Sequence, residues 1–183
     1  MSDESHTITR DHFIPFGCIV HVFAKIEFLL QAATGALVGT DLSSALFMTG
    51  DLGFRAKRDC LLSITKLKRP DIVSELEEIL KRVQTANKLR NSVAHSIWKP
   101  GRRPNSIKPI GIVTRGGQAR FVGVSDNEKD WTLEELWNNA HEIELLHAEL
   151  DNFVERVGLA AIIRRMTEDT NESASANGIP PSK

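Results

Sequence analysis

Between Pro70 and Ala94 the residues Ile72, Val73, Leu76, Ile79, Leu80, Val83, Ala86, Leu89, Val93 and Ala94 form an unbroken apolar series. Their steps of three and four, with occasional neighbours, place them on one face of a helix about seven turns long. A helix with one wide apolar face needs other helices to cover it, and this requirement limits the chain to a helical bundle more firmly than any other stretch does. Pro70 suits a first-turn position and Asp71 favours the helix start, while Lys99-Pro100-Gly101 stops the pattern and Pro104 and Asn105 prolong a loop.

Further segments supply the covering partners. Phe16, Ile19, Val20, Phe23, Ile26, Leu29, Leu30 and Ala33 make a broad helical stripe. Glu27 at its edge reads as a snorkelling carboxylate or as support for Arg90. Gly35 and Gly39 are expected to loosen the end of that helix, and Asp41 or Ser43 to cap a short successor ending near Met48. A second long amphipathic helix is expected from about 52 to 66. Thr132-Leu-Glu-Glu135 is a capping box, with Trp131 and Leu136 as its hydrophobic staple, and opens a helix reaching about Val157. A short apolar segment, Leu159 to Met166, closes the set. Residues 107 to 124 break the helical period: Gly116-Gly117 between β-branched runs is a two-residue hairpin signal, in a register that sets Ile112 opposite Phe121 and Val113 opposite Arg120. The expected fold is therefore all-α, a four- to five-helix bundle over residues 11–166 with one inserted β-hairpin. Disordered segments are expected at 1–10 and 167–183.

A chain of 183 residues with 41% hydrophobic content supports one good core. Cys18 and Cys60 lie in apolar helical patterns, as reduced core cysteines of a cytoplasmic protein would. The first residues are acidic and polar, unlike a secretory signal, and His21, Lys25, Glu27 and Gln31 interrupt the most apolar window, so it reads as a core helix with no membrane role. The net charge of −1 conceals a segregation: residues 81 to 120 carry ten basic residues and no acidic one, which leaves 13 basic against 24 acidic elsewhere. A positive segment in an acidic chain fits a polyanionic ligand, or neutralises acidic helices of the same or a partner chain.

Within that segment, Lys88 to Trp98 holds a compact set of polar groups suited to joint chemistry. An imidazole at His95 can act as general base or acid, and the planar guanidinium of Arg90 suits a phosphate oxygen. Asn91 and His95 are four residues apart and share a helix face, so the amide can fix the imidazole tautomer, whereas Arg90 and His95 lie about 140° apart. Cleavage of RNA uses such a set: a base for the 2′-hydroxyl, and a cation for the charge on the phosphorane. Lys88, Lys99, Arg102 and Arg103 are the candidate RNA-binding residues, and Trp98 is a candidate for stacking on a base or for core packing.

The run R-N-S-V-A-H at the end of a long helix resembles the R-x4-6-H motif of HEPN domains, including the polar residue that follows the arginine. With 13 arginines and six histidines, chance supplies about 0.4 bare matches and about 0.06 with Asn, Asp or His in that place. The resemblance implies an all-α bundle acting as a metal-independent endoribonuclease of a toxin–antitoxin or phage-defence system. It assigns catalysis to Arg90 and His95 with Asn91 in support, by attack of the 2′-hydroxyl and without a cofactor. It also fits a homodimer whose two motifs meet, and a nucleotidyltransferase-like antitoxin as partner. The alternative is a non-catalytic dimeric bundle that keeps the motif as an interaction or regulatory surface. Glu144 and His147 form a Glu-x-x-His pair without a second copy, so no metal site is expected, and phosphate-loop, nucleophile-elbow and zinc-ligand spacings are absent from the sequence.

Overall fold

The structure, a computed structural model, describes the backbone of residues 7–115, 118–122 and 130–176, and the side chains of 7–110 and 130–170. Among these are six α-helices, α1 (Arg10–Val38), α2 (Leu42–Gly50), α3 (Phe54–Lys68), α4 (Val73–His95), α5 (Leu133–Arg156) and α6 (Leu159–Ala176), with a 3₁₀ turn at Pro70–Ile72. Four strands, β1 (Ile97–Pro100), β2 (Ser106–Arg115), β3 (Gln118–Val122) and β4 (Trp131–Thr132), form a small antiparallel sheet. The protein is mostly helical, as the apolar periods require. Its residues fall into two compact units, 1–23 with 85–145 and 24–84 with 146–183. This subdivision has no signature in the sequence, because α1, α4 and α5 each contribute to both units and no linker marks the boundary.

In the first unit the hairpin register is the expected one, with Ile112 opposite Phe121 and Val113 opposite Arg120; its Gly116-Gly117 turn lies outside the described residues. The sheet, however, is larger than one hairpin. β1 pairs with β2 through Ile97–Ile110, Trp98–Pro109 and Lys99–Lys108, and β4 pairs with Ser106 and Ile107. The loop bond from Gly101 N to Ser106 O (2.7 Å) sets the alternation of hydrogen-bonded pairs, so position 109 directs its backbone away from β1. There β4 has ended and β3 has not begun, so the N–H that Pro109 lacks is not needed. Phe16 packs on Trp98 with ring centroids 4.7 Å apart, and Trp98 meets Trp131 edge-on at 6.5 Å. His12 is fully buried and close to the start of α1: Thr9 N donates to its Nδ1 (3.2 Å), which places the proton on Nε2, facing the Asn105 carbonyl at 3.4 Å. Thr7 to Thr9 are thus described, and Thr9 is tied to the first helical turn, where a disordered end was expected.

The second unit is helical throughout. Gly35 does not loosen α1; it lets two elements approach, because a Cβ there would lie 2.5 Å from Ala45 Cβ and 2.9 Å from Met166 Cε. The helix ends at Gly39, whose φ of 81° is the left-handed value that glycine adopts without strain. Asp41 caps α2 by accepting from Ser44 N (2.9 Å). Buried Lys57 donates to Glu27 (3.1 Å), which gives that carboxylate a structural partner on α3. The tail expected from residue 167 is helical as far as Ala176. The apolar turns that precede its polar residues are anchored by buried Leu159 and Met166, and the hydroxyls of Thr167 and Thr170 are satisfied by the carbonyls of Ile163 and Met166. Helix α1 is long and apolar enough to cross a membrane by length and composition, yet Ile19, Phe23, Ile26 and Leu30 are fully buried in the protein and Val20, expected inward, is exposed.

Candidate functional site

The last turns of α4 carry the motif, and His95 is the final residue of the helix. The imidazole is exposed there, and Ser96 N still bonds to Ser92 O at 3.1 Å, so the helical path holds through the site. Arg90 is half-buried. One of its guanidinium nitrogens donates to Asn91 Oδ1 at 3.0 Å, and its central carbon lies 5.1 Å from the centroid of the Phe23 ring. An aromatic face and a carbonyl oxygen together restrict the guanidinium. The amide oxygen of Asn91 thus helps to orient Arg90. The side chain of an i+1 neighbour reaches back along the surface more readily than helical-wheel spacing implies.

The four candidate RNA-binding residues separate into two kinds. Lys88 is exposed on α4 and Lys99 half-buried on β1; among the described residues neither has an ion-pair partner. Arg103 is different: its guanidinium donates to the Glu135 carboxylate (2.6 and 3.3 Å) and to the backbone carbonyl of Asp130. Its charge is thus satisfied within the protein, and Arg103 is better read as a structural tie than as a phosphate contact. The backbone N–H groups of Arg102 and Arg103 both donate to one carboxylate oxygen of Asp130. Burial of Asp130 raises its pKa, but these two amides, with the charges of Lys108 and Arg103, overcome that effect and leave it below the usual carboxylate value. Gly101 is required beside this carboxylate, since a Cβ would come within 2.9 Å of it and would collide with Ser106 Oγ.

Glu135 also completes the expected capping box. Thr132 N donates to Glu135 Oε2 (2.9 Å), and Glu135 N to Thr132 Oγ1 (3.2 Å). One carboxylate therefore caps α5 and holds Arg103. Trp98 packs between Phe16 and Trp131, which supports the core role for this residue rather than the base-stacking one. Its indole nitrogen and Asn87 Oδ1 are buried without a hydrogen-bond partner. Neither Phe23 beneath Arg90 nor the Asp130 contacts are legible in the sequence, because cation–aromatic and carboxylate–amide pairings between distant segments leave no local pattern. Among the described residues no group of three His, Cys, Asp or Glu side chains is arranged to hold a metal ion.

Comparison with known proteins found no matching family model, no matching curated protein and no matching solved structure.

Proposed function

We propose that the protein is a HEPN-like endoribonuclease whose bundle presents Arg90 and His95 to an RNA phosphodiester. The observation that carries this reading is an oriented guanidinium and an accessible imidazole within the last two turns of one helix, in the Arg-Asn-x3-His arrangement. His95 takes the proton of the 2′-hydroxyl as the 2′-oxygen bonds to phosphorus, and, because Arg90 lies about 140° from His95 on the same helix, the guanidinium that stabilises the phosphorane is that of the second motif in a dimer. The bond to the 5′-oxygen then breaks, and that oxygen leaves with a proton, giving a 2′,3′-cyclic phosphate and a 5′-hydroxyl. No metal takes part in this scheme. Proton removal and delivery are best served by two imidazoles, so the active unit in this reading is a two-fold dimer that brings a second motif to the same cleft. A toxin–antitoxin or phage-defence role in the cytoplasm, with a nucleotidyltransferase-like antitoxin, follows from the same reading.

The test is incubation of the purified protein with mixed RNA in the presence of a chelator, beside His95→Ala. Fragments ending in cyclic phosphate from the wild type alone support the reading, and equal activity in both samples refutes it. One observation favours a non-catalytic interaction protein instead: Phe13, Ile14 and Val20 are exposed on the first turns of α1, an apolar surface of the kind that partners cover. Dimers without RNA cleavage would support that second reading.

A further inference from the structure

Helical geometry associates His95 with different residues from those its motif indicates. Along α4, Lys88, Asn91 and His95 fall within an arc of about 60°, and all three are exposed, while Arg90 lies on another side. Lys88 precedes His95 by about 10 Å of helix rise. Beyond the helix the chain enters β1 after a single residue. On β1, Trp98 faces its aromatic neighbours, so Ile97 and Lys99 take the opposite face by strand alternation. Ile97 is 75% exposed, an unusual cost for an isoleucine beside a candidate site. The order along the chain is therefore cation, amide, imidazole, apolar side chain, cation, and every member belongs to the first unit.

We infer that Lys88, Asn91, His95, Ile97 and Lys99 form a track for single-stranded RNA, with the imidazole at its middle and a phosphate-binding lysine on either side. This inference rests on the ribonuclease reading for its ligand and adds substrate length and strandedness. The rise between Lys88 and His95 corresponds to roughly three stacked nucleotides at about 3.4 Å each, so the scissile phosphate is internal and flanking phosphates are bound on both sides. Ile97 offers its apolar surface to an unpaired base next to the scissile bond; in a duplex that base is stacked within the helix and does not reach it. Arg103, held by Glu135, takes no part in the track.

The experiment uses the full chain and a labelled RNA series: a dinucleotide, a hexanucleotide, and a duplex of the same sequence. Binding is read by fluorescence anisotropy with His95→Ala protein, and cleavage with the unsubstituted chain. The hexanucleotide is expected to bind at least about tenfold more tightly than the dinucleotide and more tightly than the duplex. Lys88→Ala and Lys99→Ala, each added to that background, lower hexanucleotide affinity and reduce the salt slope by about one apiece. Ile97→Ser lowers affinity without changing the slope, and Lys66→Ala, which removes an α3 lysine paired with Glu77 of α4, serves as the neutral control. Equal binding of dinucleotide and hexanucleotide, preference for the duplex, or unchanged slopes in both lysine variants overturns the track. Lysine-dependent binding without cleavage leaves the track standing and removes the ribonuclease reading. Cleavage that is indifferent to length and to both lysines does the reverse, and absence of both binding and cleavage rejects the two together.

Discussion

Replacing Asp130 by Asn tests the contact that fixes the basic loop. The carboxylate accepts the N–H groups of Arg102 and Arg103, and the amide oxygen of Asn occupies the same place without the charge. Hydrogen bonds to a charged group contribute about 1.5–3 kcal/mol each against about 1 for a neutral pair, so two bonds lose about 1–4 kcal/mol in all. Taking about 2 kcal/mol, Tm should fall by about 4–8 °C for a chain of this size. The effect should also depend on pH. Asp130 titrates below its ordinary value, so its contribution is complete above the unfolded carboxyl pKa of about 3.9 and is lost as pH falls through the depressed folded value. Asn does not titrate, so wild type and variant should converge in strong acid. Thermal unfolding followed by circular dichroism at neutral and acidic pH measures both effects. A Tm within about 2 °C of wild type at neutral pH, or a gap that persists undiminished in acid, would refute the reasoning.

Other substitutions separate chemistry from scaffold. His95→Ala should abolish RNA cleavage while shifting Tm by less than about 2 °C, because the side chain is exposed; a melting scan beside the cleavage assay checks both. Arg90→Lys should also lose cleavage, and unlike His95→Ala it should cost about 1 kcal/mol in urea unfolding, since an ammonium stacks less well on Phe23 and cannot match the planar contact with Asn91. Arg103→Ala should lower Tm slightly and leave the salt slope of RNA binding unchanged, which a melting scan and anisotropy at several ionic strengths will show. Thr132→Ala should cost about 1 kcal/mol through loss of the α5 cap, with cleavage per folded molecule retained.

What could be read from the sequence was local. Helix α4, the capping box at Thr132 and the register of the 112–121 pairing depend on residues a few positions apart, and periodicity or turn chemistry reports them directly. Strand β1 escaped notice because Lys99-Pro100-Gly101 reads as a helix stop and a loop, and four residues are too few to show alternation. Asp130 lies 28 positions from Arg102, and Glu135 lies 32 from Arg103, so only the fold brings them together. The site was legible as a motif, while the partner of its asparagine was not, since spacing describes shared faces and says nothing of which neighbour a short amide will reach.

The basic segment illustrates how composition and structure differ in what they report. Ten positive residues with no acidic one among them imply a broad electrostatic field. The fold draws acidic residues to several of those cations from elsewhere in the chain: Lys81 pairs with Glu78, Arg82 with Glu149 and Arg103 with Glu135, while Lys108 is buried near Asp130. An exposed pair contributes little to stability, yet it cancels the field of its cation at a distance. Lys88 and Lys99, outside these pairings among the described residues, stand on either side of His95 in the chain. In the ribonuclease reading, a polyanion bound through these two lysines is held with its backbone across the exposed imidazole of His95, while the neighbouring ion pairs weaken attraction elsewhere on the segment.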